Sequence, residues 1–128
     1  MSLANRPKLV IVADTQNQWG DSPQLERLRR LCAVDYHVAL PADSKEFEKR
    51  VDAADIVVTP VRIKWTEEAL ALAPNLKLLV LVAIGTDSID LAAARARHVV
   101  VSNVPGRTAA VVAEHALGLM LAVARRMA

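Results

Sequence analysis

Gly85 follows the most apolar stretch of the chain, KLLVLVA at 77–83, and precedes Thr86-Asp87. A glycine just past a buried strand lets the backbone approach a ligand with no side chain in the way. Consecutive N–H groups at such a point can form a small nest for an anion. The same glycine could instead serve an ordinary strand-to-helix turn that needs a positive φ. Glu114 and His115 look like an acid/base pair, but neighbours on a helix point in different directions. We read them as hydrogen-bonding helix anchors rather than catalytic groups. Asp14 ends the first apolar run, where a phosphoacceptor could stand, but the third run ends Thr59-Pro60 with no carboxylate. Cys32 is the only cysteine. No Cys/His spacing suits a metal, and Cys32 reads as helix packing in a reducing compartment.

These groups need a scaffold, and the composition supplies one. A 128-residue chain that is 53% apolar and 23% charged can bury a real core as one ordered domain. Trp19, Tyr36, Phe47 and Trp65 are its only aromatics, so Val, Leu, Ile and Ala must fill that core. The net charge of +2 is too small to argue for nucleic acid. The longest apolar run, 109–124, is interrupted by Glu114-His115 and falls short of the roughly 18–20 residues of a membrane span. With no N-terminal apolar signal core, the expected location is the cytoplasm.

Strand and helix patterns alternate along the chain. Apolar β-branched runs predict strands at 8–13, 36–40, 55–59, 77–83 and 99–103. Ser22 with Pro23 predicts the start of a first helix. Ser44 precedes a second, with Phe47 and Val51 on one face. Thr66 followed by two glutamates opens a third. Asp90 caps a fourth, whose Arg95 and Arg97 suit the negative end of the helix dipole. A fifth helix covers about 108–126. Strands recurring with helices between them predict a parallel sheet with right-handed crossovers. We therefore expect a flavodoxin-like, doubly wound α/β fold of five parallel strands in the order 2-1-3-4-5, with a long C-terminal apolar helix. The strand at 77–83 should be central and buried on both faces. From Ala109 to Ala124 only Glu114 and His115 are polar. A helix apolar all round expects cover on every side, and a sheet covers one face only.

The run NLKLLVLVAIGTDSIDLAAARARHVVVSNVPG, with the helix TAAVVAEHALGLMLAVARR after it, resembles the D-isomer-specific 2-hydroxyacid dehydrogenases. It repeats their buried strand, G-x-D-x-I-D, Ala-rich helix, short strand, N-x-P and V-A-E-H helix. VRIKWTEEAL at 61–70 is similar to their segment after the third strand. The resemblance implies an oxidoreductase that interconverts 2-keto and D-2-hydroxy acids with NAD or NADP. It implies that backbone N–H groups of Ile84 and Gly85 hold the substrate carboxylate and that Thr108 lies beside the substrate. Arg62, with Lys64, would face the interdomain cleft and help hold anionic substrates, and the helix holding Val112 would run under the nicotinamide. His98 stands where relatives carry a glycine after the Ala-rich helix. A left-handed conformation there would cost a histidine on the order of 1 kcal/mol.

The glycines, Gly20, Gly85, Gly106 and Gly118, make no G-x-G-x-x-G turn. The family's catalytic Arg, Glu and His belong to its cofactor domain. We therefore expect residues 1–106 to form the substrate-binding domain and 107–128 an interdomain helix leading to an absent cofactor domain. Such a fragment is expected to be inactive alone and to bind no cofactor tightly. Its expected partners are a small 2-keto or 2-hydroxy acid and a cofactor domain or second subunit covering 108–126, with a homodimer as the assembly. A second reading is a non-enzymatic interaction module, like the family's corepressor relatives, with 108–126 as its partner surface. A third, a receiver domain built on Asp14, is opposed by Thr59-Pro60.

Overall fold

A computed structural model describes residues 6–106 and 108–127. Its elements alternate: β1 (Lys8–Ile11), α1 (Pro23–Leu31), β2 (Ala33–Tyr36), α2 (Ser44–Val51), β3 (Ile56–Thr59), α3 (Glu67–Ala71), β4 (Leu78–Leu81), α4 (Leu91–Ala96), β5 (Val100–Ser102) and α5 (Ala109–Ala124). The five strands form one sheet in the order β2-β1-β3-β4-β5. Every pairing is parallel. This is the expected doubly wound order.

Side chains alternate across each strand, so the sheet has two cores. Val10, Val12, Val57, Leu79 and Leu81 face one side and pack with Phe47 and Val51 of α2, Leu70 of α3 and Ala94 of α4. Leu9, Ile11 and Val58 face the other and pack with Leu25 of α1 and with Cys32. β4 is therefore less enclosed than expected: Leu79 and Leu81 are buried, while Leu78 and Val80 are only partly covered. Among the described residues, α1 is the one helix that contributes a buried residue to the second face.

The helix starts follow the sequence signals closely. Ser22, Thr66 and Asp90 each accept the hydrogen bond of an N-cap. At α2 the cap is Asp43, one residue before Ser44, and its carboxylate accepts from the Glu46 N–H at 2.8 Å.

The second strand is displaced from 36–40 to Ala33–Tyr36. Cys32 is already extended as α1 ends, so the chain enters the sheet at once and pairs Ala33 with Lys8. Residues 37–40 still border β1, but separate contacts hold them. The His37 N–H donates to the Ile11 carbonyl at 3.0 Å. The buried Arg50 guanidinium donates to the Val12 and Ala39 carbonyls, both at 2.7 Å, and pairs with Glu46.

α5 differs from every other helix: none of its residues is buried. Met120 is 68% exposed and Val123 78%. The sequence predicts one face against the sheet and the rest against another domain or chain; among the described residues, not even one face of the helix is buried. Arg107, where the expected domain boundary falls, lies outside the described residues.

Candidate functional site

The C-terminal ends of β1, β3 and β4 open onto one side of the sheet, where an open parallel sheet binds its ligands. A cleft of about 160 Å³ lies there, lined by Asp14, Trp19, Pro60, Val61, Arg62 and Val82 among others. One core contact sets its β3 wall. The fully buried Trp65 indole donates to the Thr59 hydroxyl at 2.9 Å and meets Phe47 edge-on, ring centres 5.3 Å apart. The turn between Thr59 and Trp65 is thereby pinned at both ends, and it carries Arg62.

Asp14 forms the β1 wall but is not free for chemistry. Its carboxylate accepts from the N–H groups of Gln18 and Trp19, at 3.0 and 2.9 Å, and from the Tyr36 hydroxyl at 2.8 Å. Burial pushes its pKa up, but these hydrogen bonds outweigh burial and hold the carboxyl below its usual range. The Tyr36 phenol is pushed up, first by desolvation and then by the Asp14 carboxylate beside it. Asp14 thus organises a turn, which removes the basis for a phosphoacceptor role.

Past β4, Ile84 is 47% exposed and Gly85 is exposed. Their carbonyl side is occupied. The Val104 N–H donates to the Ala83 carbonyl at 3.0 Å, and the Asn103 side-chain amide donates to the Ile84 carbonyl at 2.7 Å. Among the described residues, the N–H groups of Ile84 and Gly85 donate to nothing in the protein. Gly85 is not in the left-handed region; among the glycines that conformation belongs to Gly106, at φ 67°. The turn reading of Gly85 is therefore not supported. A Cβ there would meet only the exposed Asp87 carboxylate, at 3.2 Å.

The remaining expected site residues are dispersed. Arg62 shares the cleft with Val82, two residues before Ile84. Lys64 instead borders a separate hollow with Asp87 and Asp90. Thr108 precedes α5 and its side chain makes no capping hydrogen bond. Val112 is 64% exposed on α5. Glu114 and His115 border one shallow groove on α5 with Gly118, so they share a side of the helix more than their adjacency suggests. Neither makes a side-chain hydrogen bond among the described residues, so the anchoring role is not seen within the chain. His98 has φ 58°, the left-handed conformation that its glycine-like position requires. Asn103 is visible in the sequence as part of N-x-P, but nothing there signals its grip on Ile84.

A dinucleotide needs a glycine-rich turn feeding a helix N-terminus. The helices here open at Ser22, Asp43, Thr66, Asp90 and Thr108, none behind such a turn. Among the described residues, no glycine-rich turn is present to hold the phosphates of a nicotinamide cofactor. No group of three or more His, Cys, Asp or Glu side chains could hold a metal ion among the described residues. No helix among them is long and apolar enough to cross a membrane.

The sheet order and the helices around it define a doubly wound, flavodoxin-like α/β domain. The family model of the D-isomer specific 2-hydroxyacid dehydrogenase catalytic domain matches residues 10–126, and the chain belongs to that family. It is 33% identical to the glyoxylate reductase of Thermofilum pendens, covering 82% of this chain and 32% of that protein. It superposes on the TT0316 protein of Thermus thermophilus with a TM-score of 0.74 and 33% identity, covering 94% of this chain and 37% of that one. The D-lactate dehydrogenase of Aquifex aeolicus, solved with NAD and lactic acid, shares the fold with a TM-score of 0.70 and 23% identity, over 90% of this chain and 33% of that one. The chain spans about a third or less of the length of the curated relatives it matches.

Proposed function

We propose that this chain is the substrate-binding part of an NAD(P)-dependent oxidoreductase acting on the CH–OH group of D-2-hydroxy acids, in the direction of 2-keto acid reduction. One observation carries the reading: just past the interior strand β4, the adjacent N–H groups of Ile84 and Gly85 have no partner among the described residues. Two such donors match the two oxygens of a carboxylate, and backbone dipoles held in place cost little reorganisation when an anion arrives.

In this reading the substrate carboxylate accepts from Ile84 and Gly85, which fixes the orientation of the adjacent C2 carbonyl. The Thr108 hydroxyl lies beside the substrate. Arg62, and Lys64 more remotely, add positive charge for a second anionic group. Val112 presents the face of α5 on which a nicotinamide would lie. Residues 1–106 form the substrate-binding unit, and 107–128 lead towards a cofactor domain. A cofactor domain or second subunit of a cytoplasmic homodimer covers α5.

No hydride step falls on residues of this chain, so it should bind a 2-keto acid without reducing it. The test pairs calorimetric titration of glyoxylate with a reductase assay using NADH or NADPH. Binding in the millimolar range without turnover is expected. Robust turnover by the 128-residue chain, or the absence of glyoxylate binding, would refute the reading.

A further inference from the structure

We infer that Asn103 is a positioning residue that turns the Gly85 N–H into the substrate site, so that the carboxylate meets two donors instead of one. This rests on the proposed role of Ile84 and Gly85. The reason lies in the hydrogen bonds of the bend that follows β4, at residues 82–84. The Val82 N–H donates to Thr59 on the β3 side at 3.0 Å. The Ala83 carbonyl accepts from Val104 on the β5 side, also at 3.0 Å. The Ile84 carbonyl is taken by the Asn103 amide, which belongs to the same segment just past β5, at 2.7 Å.

The consequence follows from the planar trans peptide, in which C=O and N–H point in opposite directions. No peptide bond among the described residues is cis. With the Ala83 carbonyl on the β5 side, the Ile84 N–H points towards β3. With the Ile84 carbonyl also drawn to the β5 side, the Gly85 N–H points towards β3 as well. Without Asn103, no hydrogen bond among the described residues would fix the plane of the Ile84–Gly85 peptide. The two donors therefore converge on the side of the sheet where β3 leads into Arg62 and its cleft. Ile84 depends on a backbone clamp, Val104, whereas Gly85 depends on a side chain. Substitution can separate the two.

The test uses the 128-residue chain, with the Ile84 and Gly85 amide resonances followed by NMR as glyoxylate is added. Two variants are compared, Asn103→Ala and the near-isosteric Asn103→Leu. The expected result is that the parent chain responds at both amides. In the variants the Gly85 response is lost, the Ile84 response persists, and the glyoxylate Kd rises about tenfold. The core resonances of Thr59 and Trp65 should stay in place. Variants that respond at Gly85 as the parent does would overturn the inference while leaving the carboxylate site standing. Loss of both responses together with displaced core resonances would overturn it too, because Asn103 would then be structural only. A parent chain that responds at neither amide would overturn the carboxylate site and the inference with it.

Discussion

The Trp65 indole N–H rests on the Thr59 hydroxyl at 2.9 Å, with both side chains fully buried. This hydrogen bond joins the last residue of β3 to the far end of the turn that carries Arg62. Thr59→Val keeps the shape but leaves the indole donor without a partner in the core. A buried donor left unsatisfied costs about 1–3 kcal/mol. Denaturant unfolding of Thr59→Val should show a loss of that size. An unchanged midpoint would mean that the indole finds another acceptor.

Arg50 does comparable work on the opposite side of β1. Its guanidinium is buried and donates to carbonyls of two separate segments, Val12 and Ala39. Hydrogen bonds to a charged donor contribute about 1.5–3 kcal/mol each. Arg50→Met should therefore cost about 3 kcal/mol or more in equilibrium unfolding, with 37–40 exchanging amide hydrogens faster. A stable variant with unchanged exchange at 37–40 would contradict this.

Acid should weaken the fold through a small set of carboxylates. Asp55 is held below its usual range first by the Lys77 ammonium and then by the Lys8 N–H. Glu46 is lowered first by the Ala42 N–H and then by Arg50. Asp14 is lowered despite its burial. A carboxyl with a depressed folded-state pKa contributes stability that is fully present above its unfolded value, about 4, and is lost as pH falls through the folded value. Melting temperature should thus be flat on the acid side of neutrality and drop below about pH 4. Asp14→Asn should make that drop shallower. A steep loss between about pH 6 and 7 would point to histidine instead.

Gly85→Ala separates fold from function. Gly85 needs no left-handed backbone, and its new methyl would meet only the exposed Asp87 carboxylate. Stability should change by no more than about 0.5–1 kcal/mol. Glyoxylate binding should weaken about tenfold, because a methyl beside the Gly85 N–H crowds the proposed carboxylate site. Full retention of binding would argue against close backbone access at this position.

The polar substitutions Met120→Lys and Val123→Glu on α5 should leave the melting temperature nearly unchanged, since no residue of that helix is buried. Surface changes of this kind cost within about 0.5 kcal/mol. They should also reduce concentration-dependent light scattering, because the bare apolar face is an association liability. A large fall in stability would mean that α5 packs against its own chain.

Much of this fold can be read from local chemistry. Ser22, Thr66 and Asp90 announce their helices because a short polar side chain caps in place, whatever the tertiary context. β4 is legible as an unbroken apolar run. β2 falls away from its expected place because Tyr36–Leu40 has better strand composition than Ala33–Tyr36, and only register against β1 decides between them. The site divides in the same way. Gly85 stands out by its position after a strand, whereas the Asn103 contact joins residues 19 apart and depends on β5 lying beside β4. The separation of Arg62 from Lys64 is likewise set by where the turn before Trp65 folds.

The most direct measurement is a crystal structure of this chain soaked with oxamate, a non-reactive analogue of a 2-keto acid. The oxamate carboxylate should lie within hydrogen-bond distance, about 2.7–3.2 Å, of both the Ile84 and Gly85 nitrogens. Oxamate seated elsewhere, with those two N–H groups still facing solvent, would contradict the proposed carboxylate site.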